Sequence, residues 1–250
     1  MSPGDPADGA LSARPRVAVV DYGAGNLVSI DQALDRAGAD VSIARDPAAL
    51  DGADLLVVPG VGAAAPAMER LRAAGLVEPI LAWIAAGRPF LGICLGLQLL
   101  FDGSDEDGAV TLGVIGGRTT RLVDAPTLPH IGWNQVERVR EHPAFAAIER
   151  DADFYFVHSY AGTPDGPDAE AAVLARTGHG ASFVSAVARA NVLGVQFHPE
   201  RSGVDGLRLL GNVVDLVRTG AFGASPQRPP RPSRPPRPPG LATRDLGVPA

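Results

Sequence analysis

The sequence predicts an α/β protein: an open, mostly parallel sheet with helices on both faces, plus a smaller antiparallel portion. From Arg16 to about Phe101, short β-branched runs alternate with helical stretches, which is typical of βα units that build a parallel sheet. From about Val110 the apolar runs become shorter and alternate with polar residues, which is typical of strands joined by hairpins. An apolar content of 46% in 250 residues is enough for one sizeable core.

The first half of the chain is predicted to hold four buried strands and the helices between them. The last of these strands runs directly into a helical pattern of leucines. The predicted strands are Val17–Val20, Val41–Ala44, Leu55–Val58 and Phe90–Ile93, and the predicted helices are Leu27–Ala37, Leu71–Ala86 and Leu95–Phe101.

The second half is predicted to hold five strands with hairpin connections, closed by one helix. The predicted strands are Ile131–Val139, Phe154–Val157, Ala171–Ala175, Ser182–Ala188 and Val192–Phe197, and the final helix runs from about Val204 to Val217.

Both ends of the chain differ in composition from the part between them. We expect a flexible extension over residues 1–15, one domain over 16–222 and a disordered Pro/Arg-rich tail over 223–250. In the tail, arginines recur at every third position among prolines, which would align them along one face of a polyproline II helix. The alternative to simple disorder is that the tail is a basic segment that docks on a partner, either on an acidic surface or on a module that binds proline-rich peptides.

Charge and cysteine content exclude several classes of function. The net charge of −6 is modest and acidic, so the chain has no electrostatic footprint for nucleic acid. A single cysteine excludes an internal disulfide and any zinc site that needs two thiolates from one chain. No apolar window is long enough to span a membrane, and residues 1–13 do not form a signal or transit peptide. We therefore expect a cytoplasmic protein.

The single cysteine lies between two glycines at a junction of strand and helix. Gly92-Ile-Cys94-Leu-Gly96 has the form of the nucleophile elbow, with cysteine in place of serine. The tight turn needs neighbours without side chains, and the following helix N-terminus favours the thiolate form of Cys94. A buried structural cysteine is the alternative, and the flanking glycines favour a nucleophile.

A cysteine nucleophile needs a base, and His198 is the best placed of the five histidines. It ends an apolar strand and precedes Pro199, so it should lie at the rim of the sheet, where α/β proteins place their active sites. Glu200 is close enough to bond the second ring nitrogen and fix the tautomer of His198. Alone His198-Pro-Glu200 would be a weak signal, and the elbow upstream strengthens it.

Acyl transfer through a thioester also needs N–H donors for the tetrahedral oxyanion. The elbow supplies the backbone N–H of Leu95, directly after the nucleophile. A second donor could come from Pro59-Gly-Val-Gly62, which follows a buried strand, although an ordinary turn fits that segment equally well.

Together these segments resemble a known family. Gly92-Ile-Cys-Leu-Gly96 with Gln98, Pro59-Gly-Val-Gly62 and His198-Pro-Glu200 are similar to the class I (triad) glutamine amidotransferases, which have a flavodoxin-like core. Within that family, four further segments resemble the glutaminase subunits of imidazole glycerol phosphate synthase, and the match covers about residues 16–220. These segments are Asp21-Tyr-Gly-Ala-Gly-Asn26, Pro129-His-Ile-Gly-Trp-Asn134, Phe154-Tyr-Phe-Val-His-Ser-Tyr160 and Gly194-Val-Gln-Phe-His-Pro-Glu-Arg-Ser202.

The resemblance implies a role for each matching residue. It implies a catalytic triad, an oxyanion hole, a glutamine pocket and a surface that faces a cyclase partner, where Arg201 replaces the family's usual lysine. The triad would be Cys94, His198 and Glu200; the oxyanion hole Val61 and Leu95; the pocket Gln98, His158, Ser159 and Tyr160; and the partner face Asn26, Trp133, Asn134 and Arg201.

The resemblance also implies the reaction and the partner. L-glutamine would be hydrolysed to glutamate and ammonia, and the ammonia would pass to a cyclase subunit that makes imidazole glycerol phosphate and an aminoimidazole carboxamide ribonucleotide in histidine biosynthesis. No metal or organic cofactor is expected. Two alternatives stay open: a glutaminase subunit for purine, tryptophan or pyridoxal phosphate synthesis, and a regulatory module of the same fold without turnover.

Two other features have simpler interpretations. Gly23-Ala-Gly25 after the first strand lacks the third glycine of a dinucleotide loop, because Val28 stands in its place, and we interpret it as a turn that faces the partner. His130 and His142 are expected to be structural or exposed.

Overall fold

The computed structural model describes residues 14–223. Most of the predicted extension and of the Pro/Arg-rich tail lies outside the described residues, so the predicted domain limits stay predictions. Among residues 14–223, no helix has the length and apolar character needed to cross a membrane.

An eight-stranded mixed sheet forms the centre of the fold. Its order is β2-β1-β3-β4-β13-β12-β11-β8, and the first five strands are parallel. This order of parallel strands is that of flavodoxin-like folds, in which ligands bind beyond the carboxyl ends of the strands. The predicted α/β class is confirmed. The strands are β1 (Arg16–Val20), β2 (Asp40–Ala44), β3 (Leu55–Gly60), β4 (Phe90–Cys94), β8 (Glu137–Arg138), β11 (Val173–His179), β12 (Ala181–Arg189) and β13 (Val192–Val195).

Two small sheets provide the remaining strands. The first has the order β10-β6-β5, and the second pairs β7 with β9 in antiparallel fashion. Their strands are β5 (Gly103–Ser104), β6 (Gly117–Arg121), β7 (His130–Gln135), β9 (Asp153–His158) and β10 (Tyr160–Pro164).

Six α-helices lie among the described residues, and helices cover both faces of the central sheet. The helices are α1 (Leu27–Arg36), α2 (Ala64–Ala73), α3 (Val77–Ala85), α4 (Leu95–Gln98), α5 (Pro167–Ala171) and α6 (Gly203–Arg218). Alternate residues of a strand enter different cores: Val17 and Val19 pack on the side of α1 and α6, and Ala18 and Val20 on the side of α2 and α3. Because both faces are covered, the central strands read as continuous apolar runs.

The predicted helix Leu71–Ala86 is two helices. It is interrupted at Gly75, whose positive φ of 67° ends α2 before α3 begins at Val77. The first turns of α2 were missed because they contain alanines and Pro66, which give no periodic apolar signal. Proline is tolerated there because the first turn of a helix needs no N–H from it.

Some strand limits also differ from the predictions. The predicted strand Ile131–Val139 is divided between β7 and β8, which belong to different sheets, and Ala171 ends a helix rather than starting a strand. Strands β6 and β10 were not predicted because their glycines, threonines and prolines carry little apolar alternation. The predicted helix Leu95–Phe101 has only its first turn in α4.

Candidate active site

Strand β4 ends at Cys94, and α4 begins at the next residue. Cys94 has φ 54° and ψ −105°, a left-handed conformation that residues other than glycine adopt rarely. It pairs in register with Gly60, the last residue of β3, so the segment after Gly60 begins beside the sulfur. The predicted strand, sharp turn and helix are therefore present in that order.

The two flanking glycines are required by the packing of the elbow. A Cβ atom on Gly92 would lie 2.6 Å from the carbonyl oxygen of Gly96. A Cβ atom on Gly96 would lie 1.8 Å from the carbonyl oxygen of Val58 in β3. Backbone meets backbone at both positions, so no side-chain rearrangement could make room.

His198 follows the end of β13, and Glu200 lies in a short 3₁₀ helix directly after it. The Nδ1 atom of His198 and the Oε1 atom of Glu200 are 2.8 Å apart, and each side chain is only 6% exposed. This contact occupies Nδ1 and leaves the Nε2 atom of His198 available to a reacting group. Nε2 makes no hydrogen bond of ordinary geometry with the described residues.

The groups around His198 favour its charged form. Burial alone lowers the pKa of His198, but a negative charge on Cys94 and, to a smaller extent, the contact with Glu200 outweigh this effect and raise it to about 10. The absence of a well-aligned hydrogen bond at Nε2 is consistent with a site that tightens when substrate binds. Cys94, His198 and Glu200 thus all lie at or just beyond the carboxyl ends of β4 and β13, which are neighbouring parallel strands.

A cavity of about 380 Å³ opens beside Cys94. All four residues that the resemblance assigns to the glutamine pocket line it. Val61 and Leu95 are not among the lining residues, although Gly62 and Ala63 are. The lining residues are Gly62, Ala63, Cys94, Gln98, Glu106, Pro129, Val157, His158, Ser159 and Tyr160.

The two residues assigned to the oxyanion hole differ in their exposure to solvent. Leu95 is fully buried in the first turn of α4, whereas the side chain of Val61 is 45% exposed. The hydroxyl of Tyr22 donates to the carbonyl oxygen of Pro59 at 3.0 Å and so holds the end of β3 just before Val61. Val61 therefore lies on an exposed segment that is anchored at one end.

Two residues at the site were missed in the sequence. Gln196 is completely buried; its Nε2 atom lies 3.6 Å from the sulfur of Cys94, and its Oε1 atom accepts from Gln98 at 3.1 Å. Its position, directly after β13 and two positions before His198, could have revealed it. Glu106 lines the cavity, and burial together with Asp107 raises its pKa. It lies in a loop without any pattern that could have indicated a site.

The residues assigned to the partner face are all on or near the surface. Asn26 caps α1, accepting from the N–H of Ser29 at 3.3 Å. Trp133 is 56% exposed, and its ring lies edge-on to Tyr155, over which the guanidinium of Arg201 stacks at 4.1 Å. Asn134 donates to the carbonyl oxygen of Gly178 at 2.9 Å.

A larger cleft of about 590 Å³ lies at the opposite edge of the sheet. Pro15, Arg88 and Phe222 are among its lining residues, and none of the predicted site residues is. We place the candidate site in the smaller cavity because Cys94 lines it. Within residues 14–223, no group of three or more His, Cys, Asp or Glu side chains is placed to hold a metal ion.

The sequence profile of class-I glutamine amidotransferases matches residues 18–214. The chain belongs to this family. It is 47% identical to the imidazole glycerol phosphate synthase subunit HisH of Symbiobacterium thermophilum, over 82% of this chain and 97% of that protein. It is 46% identical to the same subunit of Synechococcus sp. JA-3-3Ab, over 81% of this chain and 94% of that protein. The resemblance seen in the sequence is confirmed.

Solved structures agree on the fold. The amidotransferase aligns with a chain of PurLQS from Thermotoga maritima with a TM-score of 0.63, covering 82% of this chain and 99% of that one. At 19% identity this likeness supports the fold alone. The family, the fold and the enzyme class are therefore established.

Proposed function

We propose that this amidotransferase is the glutaminase subunit of an imidazole glycerol phosphate synthase and that Cys94, His198 and Glu200 carry its chemistry. The observation that carries the proposal is the arrangement of these three groups: a cysteine on a left-handed elbow beside a buried histidine whose second nitrogen lies 2.8 Å from Glu200. This is the relation of nucleophile, base and orienting acid that covalent acyl transfer requires.

In the first half of the reaction, the Cys94 thiolate attacks the side-chain amide carbon of glutamine. The N–H groups of Leu95 and Val61 stabilise the oxyanion of the tetrahedral intermediate. His198, held protonated beside the sulfur, gives its proton to the amide nitrogen. The C–N bond then breaks, and ammonia leaves a glutamyl thioester on Cys94.

In the second half, water replaces ammonia and attacks the thioester carbon. His198 is now neutral and acts as the base that removes a proton from this water. The C–S bond breaks, glutamate leaves, and the thiolate and imidazolium are restored. Glu200 keeps the ring in one orientation throughout and stabilises its positive form.

The cavity offers groups for both charged ends of glutamine. Gln98 and the segment His158–Tyr160 form one wall, and the carboxylate of Glu106 lies where it can attract the α-ammonium group. A volume of about 380 Å³ is in the range of small-ligand sites. These contacts would position the amide carbon over the sulfur.

The partner is a cyclase subunit that receives the ammonia and forms imidazole glycerol phosphate. Trp133 is a large exposed aromatic side chain, and such residues anchor many protein interfaces. Arg201 can pair with an acid on the partner, although its planar guanidinium differs in geometry from the lysine common in the family. A cytoplasmic location, which was predicted from the sequence, stays a prediction.

The deciding experiment measures ammonia release from L-glutamine with and without the cyclase subunit and its phosphorylated ribonucleotide substrate. We expect turnover in the complex, and a loss of at least about 10³-fold in Cys94→Ala, because the covalent route is closed. A glutamine-analogue electrophile should label Cys94 in the same complex.

Two results would reject the proposal. An active complex in which Cys94→Ala turns over normally would exclude this nucleophile. Copurification from cell extract with another ammonia-using synthase, and with no cyclase, would reject the pathway while leaving the glutaminase chemistry intact.

A further inference from the structure

Two buried histidines take no part in the triad. His130 and His158 face each other across the antiparallel pair β7–β9 and are only 4% and 7% exposed. The Nδ1 atom of His130 and the Nε2 atom of His158 are 3.4 Å apart. His158 also belongs to the wall of the cavity beside Cys94.

The hydrogen bonds of the two rings allow only one arrangement of protons. The Nδ1 atom of His158 lies 2.9 Å from the carbonyl oxygen of Tyr160, which can only accept, so this nitrogen carries the hydrogen. In a neutral ring the Nε2 atom of His158 is then an acceptor. His130 must therefore donate to it from Nδ1.

The positions of the hydrogens can be assigned in the same way from His130 outward to Asn134. Because His130 donates from Nδ1, its Nε2 atom accepts, and the side-chain amide of Asn134 lies 3.2 Å from it. The orientation of this amide is fixed independently, since its Nδ2 atom also donates to the carbonyl oxygen of Gly178 and its Oδ1 atom accepts from the N–H of Gln135 at 2.9 Å. Every donor from Asn134 to Tyr160 thus points in the same direction.

Beyond Tyr160 the network reaches the nucleophile. The carbonyl oxygen of Tyr160 also accepts from the Nε2 atom of Gln98 at 2.8 Å, and the same amide donates to the Oε1 atom of Gln196. The Nε2 atom of Gln196 in turn lies 3.6 Å from the Cys94 sulfur. An unbroken set of contacts therefore joins Asn134 to the sulfur.

The surroundings keep both rings neutral. Burial, with a smaller contribution from neighbouring imidazoles such as His179, lowers the pKa of His130 to about 4 and that of His158 to about 3. For His158 the contact with the carbonyl oxygen of Tyr160 opposes this effect without outweighing it. Phe156 and His179 stack on the ring of His130 with centroid distances of 5.0 and 4.0 Å. A neutral ring can both donate and accept, which the network requires.

We propose that His130 is a positioning residue for glutamine hydrolysis, which holds the pocket wall and the Cys94 sulfur in place through His158, Tyr160, Gln98 and Gln196. This inference rests on the proposed function, since the pocket is the one assigned to glutamine. It adds to that function a continuous series of contacts from strand β7 to the nucleophile. Any displacement of Asn134 by a bound partner would be passed to the site through these contacts.

Two amide variants of His130 separate the contacts of its two nitrogens. His130→Asn places an amide near the position of Nδ1 and keeps the donor to His158, whereas His130→Gln reaches the position of Nε2 and leaves His158 without that donor. In the complex with the cyclase, we expect kcat/KM for glutamine to fall about tenfold in His130→Gln and by less than about threefold in His130→Asn, because a buried acceptor loses its partner only in the first. His142→Gln is the control, with unchanged kcat/KM.

Nitrogen-15 NMR of the imidazole rings in the wild-type protein provides a measurement that does not depend on activity or on the folding of a variant. We expect His130 and His158 both to be neutral near pH 7 with the proton on Nδ1. A proton on Nε2 of either ring would overturn the proposal. So would equal kcat/KM in the folded Asn and Gln variants of an active complex. A wild-type complex that releases no ammonia would instead reject the proposed function itself.

Discussion

His198 and His158 are both buried near the Cys94 sulfur, yet their ionisation is opposite. His198 is 4% exposed and His158 is 7% exposed, and burial lowers the pKa of each. For His198 this effect is outweighed by Cys94 and Glu200, and the pKa rises to about 10. For His158, whose ring neighbours are other imidazoles and a carbonyl oxygen, the pKa falls to about 3.

The difference shows that burial does not decide which histidine can carry charge. Nearby anions do, because they stabilise the imidazolium in a site that water reaches poorly. His198 is thus suited to hold and transfer a proton. His158 is suited to keep a fixed pattern of hydrogen bonds, since it stays neutral at ordinary pH.

Removing the carboxylate of Glu200 should lower the pKa of His198 part of the way towards that of His158, since Cys94 remains, and it has the largest expected effect. In Glu200→Gln we expect kcat/KM for glutamine to fall by roughly 10²–10⁴-fold, because the imidazolium loses its charge partner and the ring its orientation. Ammonia release by the cyclase complex measures the loss, and NMR titration should show a lower pKa for His198. Glu149→Gln, at an exposed carboxylate, is the control; equal activity of the two variants would contradict the role of Glu200.

Gly96→Ala tests whether the elbow fixes the sulfur beside His198. The new Cβ atom would lie 1.8 Å from the carbonyl oxygen of Val58, so either β3 or α4 must move. We expect the free energy of unfolding, measured by urea denaturation, to fall by roughly 3–5 kcal/mol. Gly211→Ala in α6 is the matched control: its Cβ would meet nothing within 4 Å, and it should be neutral or stabilising by up to about 1 kcal/mol. Equal stability of both variants would show that the elbow adapts.

The neutral histidines predict how stability depends on pH. The pKa values of His130, His142 and His158 lie below the usual 6.5, so between about pH 6.5 and 4 the unfolded chain binds protons that the native protein does not. Acidification in this range should therefore lower the free energy of unfolding, by up to about 1.4 kcal/mol per pH unit for each histidine. His198 contributes little to this slope well below pH 6.5, because its raised pKa keeps it protonated in the native protein and the unfolded chain is protonated there too. Close to pH 6.5 and above it opposes the slope, because only the native protein binds that proton fully.

Urea denaturation at several pH values between about 7 and 5 measures this slope. His142→Asn keeps a side-chain acceptor at the N-cap and removes one of the three groups, so it should reduce the slope. A free energy of unfolding that rises on acidification would show that these rings are protonated in the native protein.

The substitution Trp133→Ala tests whether the exposed side of β7, the strand that also carries His130, binds the partner. Of these predictions it has the smallest expected effect. In Trp133→Ala we expect the Kd for the cyclase subunit to rise about tenfold, because a large aromatic anchor is lost from the interface. Val139→Ala is the matched control, since Val139 and Trp133 are both 56% exposed. Val139 follows β8 at the edge of the central sheet, whereas Trp133 lies in β7. Calorimetric titration compares the two. Equal affinities would place the partner face elsewhere.

The chemistry of the triad could be predicted from short segments of sequence. Glycines on both sides of Cys94 indicated an elbow, and the structure shows why: a side chain at either position would collide with backbone. His198 and Glu200 are two positions apart at a strand end, so local geometry was enough to predict their contact. Gln196 could have been found by the same argument, because it directly follows β13 and lies two positions before His198.

Glu106 and the histidine network could not be predicted in this way. Glu106 reaches the cavity from a loop, and no periodicity marks it. His130, which the sequence suggested was structural or exposed, is buried and joined to the pocket wall through a cross-strand pair of a two-stranded sheet. Such pairing depends on register between distant segments, which the composition of neither segment fixes.

The sequence by itself determined the α/β class and the nucleophile elbow and predicted the reacting groups, because strands, tight turns and adjacent residues follow from local patterns of apolar residues, glycine and proline. The tertiary structure alone decided which histidine is charged and which is neutral. That outcome depends on which groups from distant parts of the chain surround each buried ring, since the field of a neighbouring charge acts through space and not along the sequence.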